Sequence, residues 1–405
     1  MTLDLIGNEE RPQLIRRRPA RPSYLLAAVV LATIVAGCSK GERPTANRPP
    51  IERTVTAAQL DALPRLVVTD GRLVCQSNGT SPCPIGMAIA NWLDDGKFAT
   101  WELHRQVQIW SPGITDPVAL GENGTGDNKY NYVVSAGATP GGYQVIDASP
   151  PHVLLFDRSA KFLSSRPIPP VELTRAVAFS GPVTFMQLVR SSAGDSAAPA
   201  TFEVRRIDSP GDTLGLSAIK VPLPWLLMKR VRANQDSVSS PVPLFALLPP
   251  FAFTSDSDVV WSIGDRFAIK RQAPDGTLRW SIASEVTGPP VGPDEINQLR
   301  TQFLARATAQ ARASFDSNAA HTGTFHPAIA GLLASPDGRL LVVGPQTISR
   351  DTVTLYTVDA TGLPTGQFGL PRAAHALLFA GDSVLVQRAG ANSQPELHWL
   401  VLRRH

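Results

Sequence analysis

Four polar residues of this 405-residue sequence stand at the ends of short apolar segments and could meet around one shared opening. They are Asn91, Arg175, His326 and His375. An amide, a guanidinium and two imidazoles together offer both hydrogen-bond donors and acceptors to a ligand. Scattered polar residues at strand ends also serve as loop anchors, and that reading stays open. We take these four residues as candidate ligand contacts at a channel mouth.

The rest of the sequence contains no pattern typical of catalysis or metal binding. His321 and His326 lie five positions apart, without an acidic residue at a spacing that would complete a metal site. No nucleophile elbow, phosphate loop or dinucleotide-binding glycine pattern is present. We therefore assign no catalytic residue, no metal ligand and no cofactor, and a binding role is favoured over an enzymatic one.

The first forty residues have the features of an export signal. Arg16, Arg17, Arg18 and Arg21 precede an apolar run at residues 24–36, which is too short to span a bilayer. The run ends in Val-Ala-Gly-Cys at residues 35–38, which resembles the lipobox of bacterial lipoproteins. An ordinary cleaved signal peptide is the alternative. The lipobox resemblance implies a lipidated Cys38. Because Ser39 stands where an inner-membrane retention signal has Asp, it also implies the outer membrane, on its periplasmic or surface side.

Composition limits the classes of partner. Removing residues 1–37 takes away five arginines and three acidic residues, so the net charge falls from +4 to +2 and gives no case for nucleic-acid binding. We expect a monomer that contacts the membrane through its lipid and binds an unidentified protein or glycan. Residues 38–63 are polar and proline-containing, which predicts an extended tether, with a helical turn at residues 56–63 that leads into the domain.

The two remaining cysteines, Cys75 and Cys83, enclose a short polar segment. In an oxidising compartment this spacing favours a disulfide that closes a surface loop, and two free thiols are the alternative.

The mature chain repeats a unit of short apolar strands and polar turns. Residues 96–110 align without gaps on residues 142–156, and looser copies follow to the C-terminus. Each unit is too small to bury its own apolar face, so the units must pack against one another. Hydrophobic residues make up 43% of the chain, and Pro (36) and Gly (31) are plentiful, which suits many short strands.

Two of these units carry a recognisable motif. Residues 96–110, Gly-Lys-Phe-Ala-Thr-Trp-Glu-Leu-His-Arg-Gln-Val-Gln-Ile-Trp, resemble the NHL-type repeat, in which an acidic residue ends one strand and a His-Arg hairpin leads to the next. Residues 121–126 resemble the glycine-rich loop between blades of that family, and residues 156–163 resemble its aspartate turn. Glu102 replaces the usual Asp, Gln106 is an extra hairpin residue, and the four later units lack the His-Arg pair.

The resemblance implies an all-β fold, a six-bladed β-propeller of the NHL-like bacterial lipoprotein kind, covering residues 64–405. The N-terminal strand is expected to close the last blade, since that unit lacks a fourth strand. A two-sheet sandwich or two small β domains are the alternatives. Propeller enzymes of the lactonase or lyase type place calcium ligands on the inner strands, and the predicted inner strands here carry no carboxylate or histidine.

One segment breaks the strand pattern. From Asp294, which could cap a helix, to about Phe315, apolar residues recur at helical spacing. This predicts an amphipathic helix inserted between blades four and five. The helix would either pack on one face of the ring as a structural insertion, or act as a lid or docking element. In a sensor protein it could also transmit a ligand signal. Residues 222–250 form a second insertion with an apolar-basic patch.

Overall fold

The chain folds into small antiparallel sheets arranged as a β-propeller, and the structure is a computed structural model. It describes residues 49–77, 82–102, 105–167, 173–178, 183–190, 200–208, 219–223, 244–245, 250–256, 258–273, 275–305, 308–320, 322–390 and 393–404, without the side chains of 173–223, 303, 310, 311 and 314. The predicted signal peptide, Cys38, His321 and most of the second insertion lie outside the described residues.

The N-terminal segment of the described chain consists of β1 (Ile51–Thr54), α1 (Ala57–Asp61) and β2 (Leu66–Gln76). Thr56 caps α1 through a capping box with Gln59, and Leu60 is buried against the body. The described part of the predicted tether is therefore packed on the body from Ile51 onward, and α1 lies where the sequence predicts a helical turn. The apolar residues Val55 and Leu60 give this stretch a face to bury, which a tether lacks.

Sheets with the same strand order follow along the chain. One contains β3 (Ile89–Trp92), β4 (Phe98–Trp101), β5 (Val107–Trp110) and β6 (Val118–Leu120), and the short pair β7 (Glu122–Asn123) and β8 (Lys129–Tyr130) follows it. The next contains β9 (Val133–Thr139), β10 (Gly142–Ala148), β11 (Pro151–Asp157) and β12 (Phe162–Pro167). The third contains β13 (Leu173–Ala178), β14 (Val183–Arg190), β15 (Ala200–Asp208) and β16 (Ile219–Leu223). We number these sheets first to third.

The fourth sheet combines four consecutive strands with β1, and the fifth and sixth sheets end the chain. Their strands are β17 (Phe251–Phe253), β18 (Val259–Trp261), β19 (Ile269–Gln272) and β20 (Leu278–Ala283); β21 (Gly331–Ala334), β22 (Leu340–Val343), β23 (Thr352–Val358) and β24 (Pro364–Pro371); and β25 (His375–Ala380), β26 (Ser383–Ala389) and β27 (Pro395–Arg404).

The sixth sheet is completed by the N-terminal strand, as the sequence predicted. β2 pairs antiparallel with β27, from Leu66 opposite Arg404 to Gln76 opposite Glu396. The unpaired edge that β27 would otherwise expose is thereby covered.

The segment that precedes β2 contacts the fourth and fifth sheets. β1 pairs in parallel with β20 of the fourth sheet. The Gln367 side chain of β24 donates hydrogen bonds to the carbonyl oxygens of Leu60 and Leu63, at 3.1 and 3.3 Å. Residues 51–76 thus touch three consecutive sheets.

The motif-bearing hairpins are formed by β4–β5 and β10–β11. Phe98 pairs with Trp110 in the first hairpin. In the second, Phe156 pairs with Tyr143, one position before the residue that aligns with Phe98, so the strand pairing of the two hairpins differs from the gapless alignment by one residue. At Gly142 the chain runs so close to the carbonyl oxygen of Phe156 that an added Cβ would lie 2.1 Å from it, which explains the glycine that opens this unit.

Apolar side chains between neighbouring sheets form the core. Between the first and second sheets, Trp101, Val107, Tyr143 and Phe156 are buried together. The Tyr130 hydroxyl in this layer donates to the Leu120 carbonyl at 2.6 Å and accepts from the Val107 amide at 2.8 Å. Burial raises the pKa of Tyr130 well above its usual value.

The inserted segment contains two helices, α2 (Pro293–Leu304) and α3 (Ala309–Ala320), where the sequence predicted one helix from Asp294. Gly292 is the N-cap of α2 and Pro293 takes the first helical position, a place that suits its fixed φ. Asp294 therefore lies in the first turn and does not cap the helix.

The disulfide between Cys75 and Cys83 is confirmed. The two Cα atoms are 5.6 Å apart, and Cys83 is buried beside the first and sixth sheets. The bond joins β2 to the segment that enters β3.

Candidate ligand-binding channel

The inner strands of five sheets surround a cavity of about 210 Å³. These strands are β3, β9, β17, β21 and β25. The described lining therefore accounts for five blades, where the sequence predicted six. Most lining residues are apolar, as predicted for the inner strands, and the described lining contains no ionisable side chain.

Asn91 is one of the residues that line this cavity. Its amide nitrogen donates a hydrogen bond to the carbonyl oxygen of Ala136 at 2.9 Å. Because Ala136 belongs to β9, this contact joins the inner strands of the first and second sheets. Asn91 thus joins two blades at the wall of the cavity.

Two tryptophans of the first sheet also line the cavity, and sequence reasoning missed both. Trp101 is 3% exposed, and Trp92 is half-buried and stacks on Trp399 with 5.8 Å between ring centroids. Within the described part of the chain, neither indole N–H has an acceptor. Strand alternation indicates that such residues are buried, but it does not indicate that their N–H groups stay unpaired.

His375 lies at the start of β25 and lines a surface cleft of about 210 Å³. We call this the Met87 cleft, and its walls comprise Ile85, Gly86, Met87, Ala373, His375, Gln387, Arg388, Ala389 and Pro395. Gln387 fixes one wall, since its amide accepts from the Ala88 N–H at 2.9 Å and donates to the Gly86 carbonyl at 2.6 Å. Met87 is 71% exposed.

The other two candidate contacts, His326 and Arg175, are not among the described lining residues of the cavity or the Met87 cleft. His326 is 1% exposed and absent from the lining of the cavity and the cleft, so its assignment to a channel mouth is wrong. The backbone of Arg175 lies in β13, and its side chain is outside the described residues.

His326 instead forms a buried pair with Glu295 of α2. Its Nε2 is 2.7 Å from Glu295 Oε2, while Glu295 Oε1 accepts from the Ile348 N–H at 2.7 Å. The ring of Phe245 covers His326 at 4.4 Å between centroids. This pair attaches the start of α2 to the fifth sheet, so its role is structural.

The acidic residue of the NHL-like motif is also structural. In the first unit, Glu102 accepts hydrogen bonds from the N–H groups of Ile85 and Gly86, at 2.5 and 2.7 Å. In the second unit, Asp147 accepts from Asn131 and Tyr132, both at 2.8 Å. Each carboxylate thus fixes the chain segment that leads into the inner strand of its own sheet. The acidic residue of the motif therefore has a structural role within the blade.

The aspartate turn recurs with the same bonding. Asp157 Oδ1 accepts from the Ser159 and Lys161 N–H groups, both at 2.9 Å. Asp359 Oδ1 accepts from Thr361 and Leu363 in the same way. The hydrogen bond from the Ser159 hydroxyl and the backbone N–H of Lys161 lower the pKa of Asp157.

A cluster of charges lies at the turn between β17 and β18, with Arg271 and Asp258 buried and Asp256 exposed. Arg271 Nε is 2.8 Å from Asp258, and its terminal nitrogen is 2.7 Å from Asp256. Burial and the nearby Asp256 charge raise the pKa of Asp258. Arg271 also donates to the Ala360 carbonyl oxygen at 3.4 Å, so the cluster joins the fourth and fifth sheets.

The described residues show neither a metal site nor a membrane span. No group of three or more His, Cys, Asp and Glu residues comes together in that part of the chain. None of its helices has the length and apolar character needed to cross a bilayer.

Comparisons with known proteins identify the fold only. A member of the DUF4221 family from Bacteroides vulgatus is similar to this chain with a TM-score of 0.51 at 7% identity, over 85% of this chain and 100% of that one. A Bacteroides fragilis protein named as exported has a TM-score of 0.46 at 11% identity, over 88% and 100%. The PQQ-bound aldose sugar dehydrogenase of Streptomyces coelicolor has 0.39 at 11% identity, over 84% and 100%. No family model and no curated protein matches the sequence.

Proposed function

We propose that this protein is a lipid-anchored extracytoplasmic β-propeller that works as a binding module, with the Met87 cleft receiving an apolar peptide segment of a protein partner. The observation that carries the proposal is the exposure of Met87 (71%) beside Ile85 (42%) in a shaped cleft next to the channel. Methionine side chains adapt to varied apolar surfaces and recur at peptide-binding sites. Exposed apolar patches in shaped clefts are typical of interaction surfaces.

The cleft suits a partner better than a substrate. Its ionisable residues are His375 and Arg388, and Arg388 is already paired with Glu396 at 2.7 Å and Asp70 at 3.0 Å. A guanidinium that is already paired with two carboxylates can support the wall of the cleft and contact a bound peptide at the rim. The aliphatic and backbone surfaces of the cleft then provide the contact area for a peptide.

The function of the cleft is tested by a substitution that keeps the size of the side chain. Peptides selected from a displayed library on the purified mature chain should lose about tenfold in affinity on Met87→Gln, since an apolar contact in an interface centre is worth at least about 1.4 kcal/mol. Fluorescence anisotropy measures the change. Leu363→Gln is the matched control, because Leu363 is also exposed but lies in a turn of the fifth sheet. Selected peptides that bind both variants equally well would contradict the assignment.

The membrane anchor rests on the sequence at residues 35–39, where a lipobox is followed by Ser39. Acyl chains contribute about 0.8 kcal/mol for each buried methylene, and two or more chains hold a protein firmly. We expect Cys38→Ser to move the protein from the outer-membrane fraction to the soluble fraction, as fractionation and incorporation of labelled palmitate would show. Ser39→Ala should stay in the outer membrane. A Cys38→Ser protein that still sediments with membranes would refute the anchor.

The proposal also includes a six-bladed ring with NHL-like repeats. The third sheet has the strand order of its neighbours, and β13 lies beside β9, which supports its place as a further blade. In such a ring α2 and α3 form an insertion between the fourth and fifth blades. The repeated bonding of Glu102 and Asp147 supports the NHL-like relation of the first two units.

A further inference from the structure

The thioether side chain of Met87 is displayed to solvent on a fixed backbone. The N–H groups on either side of it are bonded, that of Gly86 to Glu102 at 2.7 Å and that of Ala88 to Gln387 at 2.9 Å. Both acceptor residues are buried, so they hold this part of the chain in place. Met87 is 71% exposed, so an oxidant in solution meets its side chain without any movement of the backbone.

The other sulfur atoms that the structure describes are already oxidised. Cys75 and Cys83 share a disulfide, so neither has a free thiol. The side chains of Met186 and Met228 lie outside the described residues. Met87 therefore carries the one reduced sulfur in the part of the chain that is described with side chains.

A thioether reacts with a peroxide by transfer of one oxygen atom. The Met87 sulfur attacks an oxygen of hydrogen peroxide with an electron pair, so that an S–O bond forms and the O–O bond breaks. The other oxygen leaves as hydroxide and takes up the proton of the transferred oxygen, which gives water and the sulfoxide. Sulfur is oxidised and the peroxide is reduced. Methionine sulfoxide reductases can return the sulfoxide to the thioether, with a thiol as the reductant.

Oxidation would change the surface that the Met87 cleft offers to a peptide. The lining beside Met87 includes the apolar residues Ile85, Ala389 and Pro395. A sulfoxide is polar where the thioether was apolar. Covering it with an apolar peptide segment would remove water from the new S–O group, which is unfavourable without a replacement hydrogen bond. An apolar segment should therefore bind the oxidised chain more weakly.

We propose that Met87 is a reversible oxidation site for peroxides, and that its sulfoxide weakens the binding of an apolar peptide in the Met87 cleft. The effect on peptide binding rests on the function proposed above. The oxidation itself rests on the exposure of Met87 and on the fixed backbone beside it, so it can be tested on the chain alone.

Peptide mapping by mass spectrometry tests the oxidation on the purified mature chain, with no peptide ligand added. Hydrogen peroxide should convert Met87 to the sulfoxide nearly as fast as it converts N-acetylmethionine amide in the same solution, because both sulfur atoms meet solvent. Methionine sulfoxide reductases specific for each sulfoxide epimer should restore Met87. A Met87 that is still reduced when the free compound has been fully converted would overturn the proposal, whatever the cleft binds.

Peptides selected on the reduced chain, and weakened by Met87→Gln, measure the effect on binding. Their affinity in fluorescence anisotropy should fall about tenfold after peroxide treatment and recover after the reductases. Met87→Leu is the matched control, because leucine keeps a similar apolar volume and has no sulfur. This variant, taken through the same treatments, should keep its affinity throughout.

The two parts of the proposal fail in different ways. An unchanged peptide affinity with Met87 fully oxidised, or an equal loss in Met87→Leu after peroxide, would refute the effect of the sulfoxide on binding. If no selected peptide depends on Met87, the function proposed for the cleft and its regulation fail together, while the peptide map still decides whether Met87 is the oxidation site.

Discussion

Asp147→Ala should lower the free energy of unfolding by about 3 to 5 kcal/mol. The carboxylate is fully buried and accepts from three backbone N–H groups, those of Asn131, Tyr132 and Ser149, at 2.8, 2.8 and 3.0 Å. A buried donor left without an acceptor costs roughly 1–3 kcal/mol, and the alanine variant would leave three. Asn131 is partly exposed and Tyr132 and Ser149 are exposed, so water reaching these residues should keep the total toward the lower end.

Urea unfolding of the mature chain with its disulfide intact measures this loss. Asp157→Ala is the matched control, because Asp157 also accepts backbone N–H bonds but lies in an exposed turn. Its loss should be clearly smaller than that of Asp147→Ala, since water replaces the lost acceptor. Equal losses for the two variants would show that Asp147 does not fix the start of β9.

Arg271→Ala should have a comparable effect for an electrostatic reason. Arg271 is 8% exposed, and its partner Asp258 is 2% exposed. Removing one member of a buried ion pair leaves an uncompensated charge, which typically costs about 3–5 kcal/mol. Arg279, at 3.6 Å from Asp258, is too exposed to replace the lost guanidinium.

The loss in Arg271→Ala should depend on pH. The folded-state pKa of Asp258 is already raised by burial, and removing Arg271 takes away a charge that opposes this rise. A carboxyl group whose folded pKa exceeds its unfolded pKa favours the folded state below the unfolded pKa, and this contribution is lost as pH rises through the folded pKa. The destabilisation should therefore be smaller near pH 4 than near pH 8.

The control for this variant is Arg300→Ala. Arg300 and its partner Asp316 are both exposed, although they lie 2.9 Å apart. Such a pair contributes about 0–1 kcal/mol, so its loss should be small at every pH. If Arg271→Ala unfolds as easily as Arg300→Ala, the cluster does not join the fourth and fifth sheets in the way described.

The parts of the fold that the sequence predicted are those with local signals. The hairpin of β10 and β11 is visible because apolar alternation and turn residues lie within sixteen positions, from Gly142 to Asp157. Two cysteines eight positions apart made the disulfide predictable. The closing strand was predictable because the last unit was one strand short.

The parts that were missed depend on distant partners. His326 is buried by Glu295, 31 positions away, and no local pattern indicates that pairing. β1 pairs in parallel with β20, and a parallel pair has no connecting turn that a sequence could show. The unpaired indoles of Trp92 and Trp101 were hidden because alternation specifies burial and leaves hydrogen bonding undefined.

The course of residues 51–76 has a mechanical consequence. The segment is fastened first to the fourth sheet, then to the fifth through Gln367, and last to the sixth through β2. A force that pulls on the amino-terminal side therefore acts on the attachments to the three neighbouring sheets one after another, and it is not borne by a single hairpin. A pull on Ile51 would therefore have to detach the segment from all three sheets before it could open the ring at β27.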